Sequence, residues 1–162
     1  MNCWCWPIGA AVVALVVGLF HRKIWRQADP ASTQRPVLFF DGVCGLCNAA
    51  VDFAIAHDPA QLLLFSPLQS DHALQVVGPE PPGGWQSLVL VDAAGTHHQS
   101  DAALRLAGHL GGVWRVALVL WVLPRPLRNA VYDWIAHNRY KLFGKKASCR
   151  IPTPQERQRF VL

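Results

Sequence analysis

The longest uncharged apolar tract in the chain comes first. From Cys3 to Phe20 no side chain carries a charge, and Ile8–Phe20 is almost wholly Ala, Val, Leu, Ile and Gly. A bilayer span needs about 20 apolar residues, with a lower limit of roughly 17, so residues 1–27 are expected to form an apolar helix that serves as a membrane anchor. His21-Arg22-Lys23 and Arg26 follow the tract, whereas a secretory signal carries its positive charge ahead of the apolar core. The positive-inside rule then places the following domain on the cytoplasmic side. Trp4, Trp6 and Trp25 flank the tract as interfacial anchors do. Residues 28–35, with Asp29-Pro30-Ala31-Ser32-Thr33-Gln34 at their centre, read as a polar linker.

Beyond the linker the pattern shortens. Pro36-Val37-Leu38-Phe39-Phe40 is a continuous apolar run, the mark of a strand buried on both faces, and Asp41-Gly42 closes it with a turn signal. From Cys44 onward, Ala49, Ala50, Phe53, Ala54 and Ala56 suit a helix that stops before Pro59. Gln61–Phe65 is predicted as a second strand ended by Ser66-Pro67, Ser70–Val77 as a short helix, and proline-rich Gly78–Gly84 as a loop. Trp85–Val91 is rich in strand formers, and Asp92-Ala93-Ala94-Gly95 reads as a hairpin turn into Thr96–Gln99. Ser100 is placed as the N-cap of a helix over Ala102–Leu110 that ends at Gly111-Gly112. The order β-α-β-(α)-β-β-α, a parallel crossover followed by a hairpin and a helix, predicts an α/β thioredoxin-like three-layer core over residues 36–112.

Residues 113–152 are expected to add C-terminal helices packed on that core, and residues 153–162 a tail. Val113–Leu123 is strongly apolar and stops at Pro124. About 12 residues interrupted by Arg115 are too few to span a bilayer, so a buried or interfacial helix is expected. Pro126–Phe143 mixes Val131, Trp134 and Ile135 with Arg128, His137, Arg139 and Lys141, as an amphipathic helix packed on the domain does.

Composition narrows the class. Of 162 residues, 52% are hydrophobic and only 15% charged, which excludes disorder and leans toward a membrane-associated or unusually apolar globular protein. The net charge of +5 gathers at His21–Arg26 and from Arg125 to Arg159. Basic residues beside apolar stretches suit an anionic membrane surface at least as well as a phosphate backbone. No nucleic-acid-binding signature accompanies them, so nucleic acid is not an expected partner. Five cysteines, an odd count, do not make a fully paired disulfide framework.

The chemistry concentrates at Cys44 and Cys47. A thiol reacts as its thiolate, and Cys44 stands where a strand gives way to a helix, facing unpaired N–H groups and the positive end of the helix dipole. Such a setting lowers a thiol pKa from about 8.5 into the range of roughly 3.5–7.5. Cys47, one helical turn on, is spaced to close a disulfide with it. Cys44 is therefore expected to attack and Cys47 to resolve. Asp41, at the strand end, is either the acid/base that manages the proton on Cys47 or a turn and capping residue. A zinc site would need further ligands; there is no second CxxC, and His97-His98 lacks ligand spacing. A strand ending in Asp41 also opens like a haloacid-dehalogenase-type phosphatase, but that motif calls for a second Asp where Val43 stands.

Asp41-Gly42-Val43-Cys44-Gly45-Leu46-Cys47-Asn48 resembles the defining motif of the DCC family, the predicted thiol–disulfide oxidoreductases named for Asp-x-x-Cys-x-x-Cys. The resemblance continues through Phe65-Ser66-Pro67-Leu68-Gln69-Ser70 and Val91-Asp92, and ends at Asn138-Arg139-Tyr140-Lys141-Leu142-Phe143-Gly144 with Cys149 and Pro152 just after. It implies a thioredoxin-like fold with Cys44 and Cys47 as the redox pair and Asp41 as a third motif residue, and it supplies no substrate; from the dithiol chemistry, protein or small-molecule thiols and disulfides are expected as substrates, with no cofactor. Arg139 and Tyr140 either close over the site or, the reading favoured by an aromatic near a helix end, hold the C-terminal helix to the sheet. Cys149 is expected to be a passive free thiol, with a third redox cysteine as the alternative. Where thioredoxins place a cis-proline before the third strand, Gln86-Ser87 stands here. A non-catalytic module that holds a partner on its apolar C-terminal helices is the competing function.

Overall fold

Val37–Phe40 forms the central strand β1 of the computed structural model, which describes residues 35–82 and 87–162. The sheet has four strands in the order β2-β1-β3-β4. Strand β2 (Leu64–Pro67) lies parallel to β1, with Val37 opposite Leu64 and Phe40 opposite Pro67. Helix α1 (Gly45–Ala56) makes the crossover between them. On the other side of β1, β3 (Val89–Asp92) runs antiparallel and turns directly into β4 (Gly95–His98). Helices α2 (Asp71–Val76), α3 (Gln99–Leu110) and α4 (Arg125–Phe143) complete the mixed α/β arrangement, which is compatible with a thioredoxin-like fold.

Strand alternation splits the core into two clusters. Leu38 and Phe40 point to one face with Val51, Ala54, Leu63, Phe65, Leu90 and Ala102, and that cluster includes Cys44 and Cys47. Phe39 points to the other, with Leu68, Ala73 and Val89. Period-two geometry of a strand covered on both faces explains why β1 reads as an unbroken apolar run. Cys44 and Cys47 are thus part of the apolar core rather than an addition to its rim.

Several elements depart from the sequence expectation. Strand β2 begins at Leu64 rather than Gln61, because the buried Asp58 carboxylate accepts the N–H groups of Leu62 and Leu63 at 3.1 and 2.9 Å and holds them in a turn. Ser66 and Pro67 lie inside the strand; Pro67 occupies its last position, where a missing donor is tolerated. Ser100 is not an N-cap: α3 begins at Gln99, and the Ser100 hydroxyl instead donates to Asn129 Oδ1 of α4 at 2.5 Å. Strand β3 begins at Val89, and Ser87 and Leu88 precede it without pairing.

The largest departures are C-terminal. Gly112–Val122 is a 3-10 helix with no buried residue, not a buried α-helix. With three residues per turn, Val113, Val116, Val119 and Val122 align on one edge, each between 53% and 71% exposed. Helix α4 packs on the domain with its polar stripe inward: Ala136 and Arg139 are buried, while Val131, Trp134 and Ile135 are exposed. Polar ties to α3 hold it in that orientation. Arg125 and Arg128 both pair with Asp101, and Gln99 donates to Asp133 at 2.7 Å. The last residues are docked rather than trailing: Val161 N–H donates to Phe65 C=O at 2.9 Å, Phe160 packs on Phe40 and Phe65, and buried Arg159 pairs with Asp58.

Among the described residues no helix is long and apolar enough to cross a membrane. The anchor expected over residues 1–27 lies outside the described residues, as does most of the linker.

At the far end of β3, Asp92 gathers three basic side chains: Arg105 at 2.7 Å, His97 at 3.1 Å and His109 at 3.2 Å. Burial pushes its carboxyl up, but hydrogen bonds from His109 and the Ala94 N–H, with the Arg105 charge and His97, outweigh burial and hold it well below the usual carboxylate range. A carboxylate so depressed contributes stability that is present above its unfolded pKa of about 4 and is lost as pH falls below it. Asp92→Asn should therefore cost about 3 kcal/mol at pH 7. Urea unfolding of both proteins from pH 7 to pH 2.5 should show that difference shrinking as the acid limb is descended.

Candidate active site

Asp41 directly follows β1, and the chain turns through Gly42 and Val43 into α1. Cys44 takes the N-cap position with extended backbone angles (φ −82°, ψ 125°). Its Sγ accepts the N–H of Cys47 at 3.3 Å, using one of the donors that a helix N-terminus leaves unpaired. Asn48 ties the loop from within, its Nδ2 donating to the carbonyls of Gly42 at 2.9 Å and Cys44 at 2.7 Å. Both thiols are free; Cys44 is 0% exposed and Cys47 7%.

Four donors converge on the buried Asp41 carboxylate. Oδ1 accepts the Val43 N–H and Gln69 Nε2, both at 3.1 Å. Oδ2 accepts Arg139 Nη2 at 3.1 Å and the Tyr140 hydroxyl. The Arg139 guanidinium also lies 4.7 Å from the Tyr140 ring centroid. Gln69 Oε1 in turn accepts the Gly42 N–H at 3.2 Å. Asp41, Arg139 and Tyr140, separated by almost a hundred positions, are thus brought together beside Cys44 and Cys47.

This arrangement divides the two thiols. The hydrogen bond from the Cys47 thiol lowers Cys44 most; burial opposes it, and the Cys47 N–H and the Arg139 charge add to the lowering, bringing Cys44 down to about 6. Cys47 moves the other way: its hydrogen bond to Cys44, burial and the neighbouring thiolate charge push it far above an ordinary thiol. Asp41 raises both, and Arg139 lowers both. The arrangement therefore holds one thiolate, on Cys44, and one thiol, on Cys47.

Tyr132 was not anticipated. Its hydroxyl accepts the Leu88 N–H at 2.9 Å, and burial, opposed by that bond and assisted by the nearby Cys47, raises it to about 12. Tyr132, Ala136 and Arg139 recur at i, i+4 and i+7, the spacing of one helix face, and that spacing was the available signal. Asn48 and Gln69 stand inside the motif segments that carry the family resemblance, where the sequence assigns them no role.

The segment after α4 lies against the CxxC loop. Cys44 and Lys145 form an isolated antiparallel bridge. Gly45 comes so close that a Cβ there would stand 2.1 Å from the Phe143 carbonyl oxygen. A Cβ on Gly42 would stand 2.0 Å from Cys149 Sγ, so the third cysteine is brought beside the loop, where burial pushes its thiol up. His97 and His109 are occupied with Asp92, and among the described residues no group of three or more His, Cys, Asp or Glu is placed to hold a metal ion.

A family model described as DCC1-like thiol-disulfide oxidoreductase matches residues 38–145. The uncharacterised protein YuxK of Bacillus subtilis (strain 168) is 41% identical over 127 residues, 77% of this chain and 93% of that one. A chloroplastic DCC family protein of Arabidopsis thaliana is 32% identical over 121 residues, 73% of this chain and 70% of that one. No solved structure matches significantly.

Because the Cys47 thiol is the largest influence on Cys44, Cys47→Ala should raise the Cys44 pKa from about 6 toward its ordinary value of 9.0. Thiolate absorbance followed across pH in a variant free of the other cysteines measures the shift directly. A Cys44 pKa that stays near 6 would assign the lowering to the helix N-terminus and Arg139 instead.

Proposed function

The chain belongs to the DCC1-like thiol-disulfide oxidoreductase family, and from that premise we propose that it exchanges dithiol and disulfide through Cys44 and Cys47. The observation that carries this reading is the N-cap placement of Cys44, with its sulfur 3.3 Å from the Cys47 N–H and its pKa lowered to about 6. The Cys44 thiolate attacks one sulfur of a substrate disulfide, forming a mixed disulfide and expelling the other sulfur as a thiolate. Cys47 then loses its proton and attacks Cys44 Sγ, releasing the second substrate thiol. The substrate has gained two electrons, and the protein has given them up in forming the Cys44–Cys47 disulfide.

The resolving step needs a base, since Cys47 is held protonated. The Asp41 charge acts on both thiols, and we assign Asp41 to receive that proton directly or through water. Arg139 supports the Cys44 thiolate and pairs with Asp41; Tyr140 positions both. Cys149 stands outside this cycle. Substrates are thiols and disulfides of proteins or small molecules. Attachment to a membrane through residues 1–27, with the domain on the cytoplasmic side, rests on the sequence pattern alone; in that compartment the protein acts as a reductant.

One observation favours a second reading. The exposed valine edge of the 3-10 helix, Val113, Val116, Val119 and Val122, suits a module that holds a partner rather than one that turns over a substrate.

A redox titration of the Cys44–Cys47 pair, with Cys3, Cys5 and Cys149 removed, separates the two. A working oxidoreductase should show a reversible two-electron transition between roughly −120 and −270 mV. A pair that never closes would leave the binding module. In the same background Asp41→Asn should slow the resolving step by about 100-fold near neutral pH. Because Asp41 raises Cys44, the variant should also keep its attacking thiolate to lower pH. Stopped-flow traces of single turnovers resolve the two steps, and an unslowed second step would leave Asp41 a purely capping residue.

A further inference from the structure

A nucleophile with no exposed surface has to be uncovered before it can react. Cys44 is paired directly against Lys145, and two main-chain hydrogen bonds make that rung: Gly45 N–H to Gly144 C=O at 3.2 Å, and Lys146 N–H to Val43 C=O at 2.8 Å. Lys145, Lys146, Ala147 and Ser148 are themselves exposed. The chain leaves α4 at Gly144 with φ +76°, a conformation that glycine adopts without strain. Beyond Ser148 it is fixed again, since Arg150 N–H donates to Gly42 C=O at 3.2 Å and the Arg150 guanidinium pairs with Asp52 and Glu156. A short, exposed segment with one rung of pairing, held at both ends, belongs to the part of a fold that opens most easily.

We propose that Lys145–Ser148 is a lid occupying the place of a substrate strand, and that the substrates are disulfides within extended polypeptide segments. This rests on the thiol–disulfide reading of the same site. Lys146 N–H of the lid and Gly144 C=O just before it bond Val43 and Gly45 through backbone groups alone, so an extended peptide that displaces this stretch offers the same N–H and C=O. A small disulfide without a peptide backbone offers neither. Beside the anchored end of the lid lies a cavity of about 480 Å³, lined largely by apolar surface from Pro67, Ile151, Pro152 and Leu162, with Cys149 and Gln69. Gln69 reaches from that wall to Asp41 and Gly42, so the cavity adjoins the site and is placed to receive an apolar side chain of the incoming segment. The Cys44 thiolate forms a bond to one sulfur of the peptide disulfide, the sulfur–sulfur bond breaks, and the other sulfur leaves as a thiolate; no outside oxidant enters.

Peptide-resolved mass spectrometry of iodoacetamide labelling on the reduced full chain reads the lid without requiring redox turnover. Lys146→Pro removes the N–H that bonds Val43, and should speed Cys44 labelling about tenfold, the effect of losing one such hydrogen bond. Gly45→Ala, whose Cβ meets the Phe143 carbonyl, should push the lid away and do the same. Unchanged labelling in variants whose circular dichroism remains native would overturn the lid. Hydrogen exchange in the wild-type protein gives an independent reading: the Lys146 amide should exchange well ahead of Phe39 and Leu90, and exchange only together with them would also overturn it. For the substrate class, a linear peptide disulfide should react with Cys44 about tenfold faster than 2-hydroxyethyl disulfide, after correction for the leaving thiol. Lys146→Pro should narrow that gap. Equal rates in the wild-type protein would reject the polypeptide class while leaving the redox titration of the pair, and the exchange reading, untouched.

Discussion

A carboxylate buried at the end of a central strand is costly unless its lone pairs find donors and its charge a partner. Asp41 finds four donors, and they come from three directions: the turn into α1 (Val43), the segment after β2 (Gln69) and the last turns of α4 (Arg139 and Tyr140). The geometry of the CxxC loop depends on that convergence. Gln69 bonds both Asp41 and the Gly42 N–H, so the same side chain that satisfies the carboxylate fixes the loop leading to Cys44. Asn48 does the matching work from the helix side. The loop is determined from both ends before any property of its sulfurs is considered.

The charge arrangement follows from the same point. One guanidinium, on Arg139, faces Asp41 and both cysteines, and it also bonds the Tyr140 hydroxyl. The Arg139 charge lowers both thiols, and the Cys47 donor at the helix N-terminus directs the thiolate to Cys44. The two thiols therefore titrate as a pair, with the Cys47 proton held by its hydrogen bond to Cys44, by burial and by the neighbouring thiolate charge. This asymmetry between the two sulfurs is built from burial, one hydrogen bond and one helix end.

What could be read from the chain, and what could not, divides along the range of the interactions. The β1 run, the turn at Asp41-Gly42, α1 behind Cys44, the short helix α2 and the β3–β4 hairpin are set by neighbours in sequence, and periodicity and turn chemistry located them within a few residues. Elements whose environment is supplied from far away were misjudged. Gln61–Leu63 looks like a strand until the Asp58 carboxylate, paired with Arg159 near the C-terminus, holds it in a turn. Helix α4 looks like a conventional amphipathic helix, but its inward stripe is Tyr132, Ala136 and Arg139, chosen by Leu88, Asp41 and the thiols. Apolar periodicity assigns Val131, Trp134 and Ile135 inward, and cannot see that a polar site lies on the other side.

The inverted face of α4 changes how the domain should be divided. A boundary after Gly112 separates a four-stranded sheet with its helices from an apparent C-terminal addition. Yet without α4 the Asp41 carboxylate would keep only Val43 and Gln69 as donors, and would lose the one cation paired with it in the described residues. Cys44 and Cys47 would also lose the charge that lowers them both. The family match starts at Leu38 in β1 and stops at Lys145, the residue bridged to Cys44, so its limits enclose both halves of this pairing. The unit that makes the site complete is therefore not the sheet with α1 to α3 but that layer together with α4 and the first residues beyond it. The helix that resembles an appendage in sequence is the wall against which the dithiol is built.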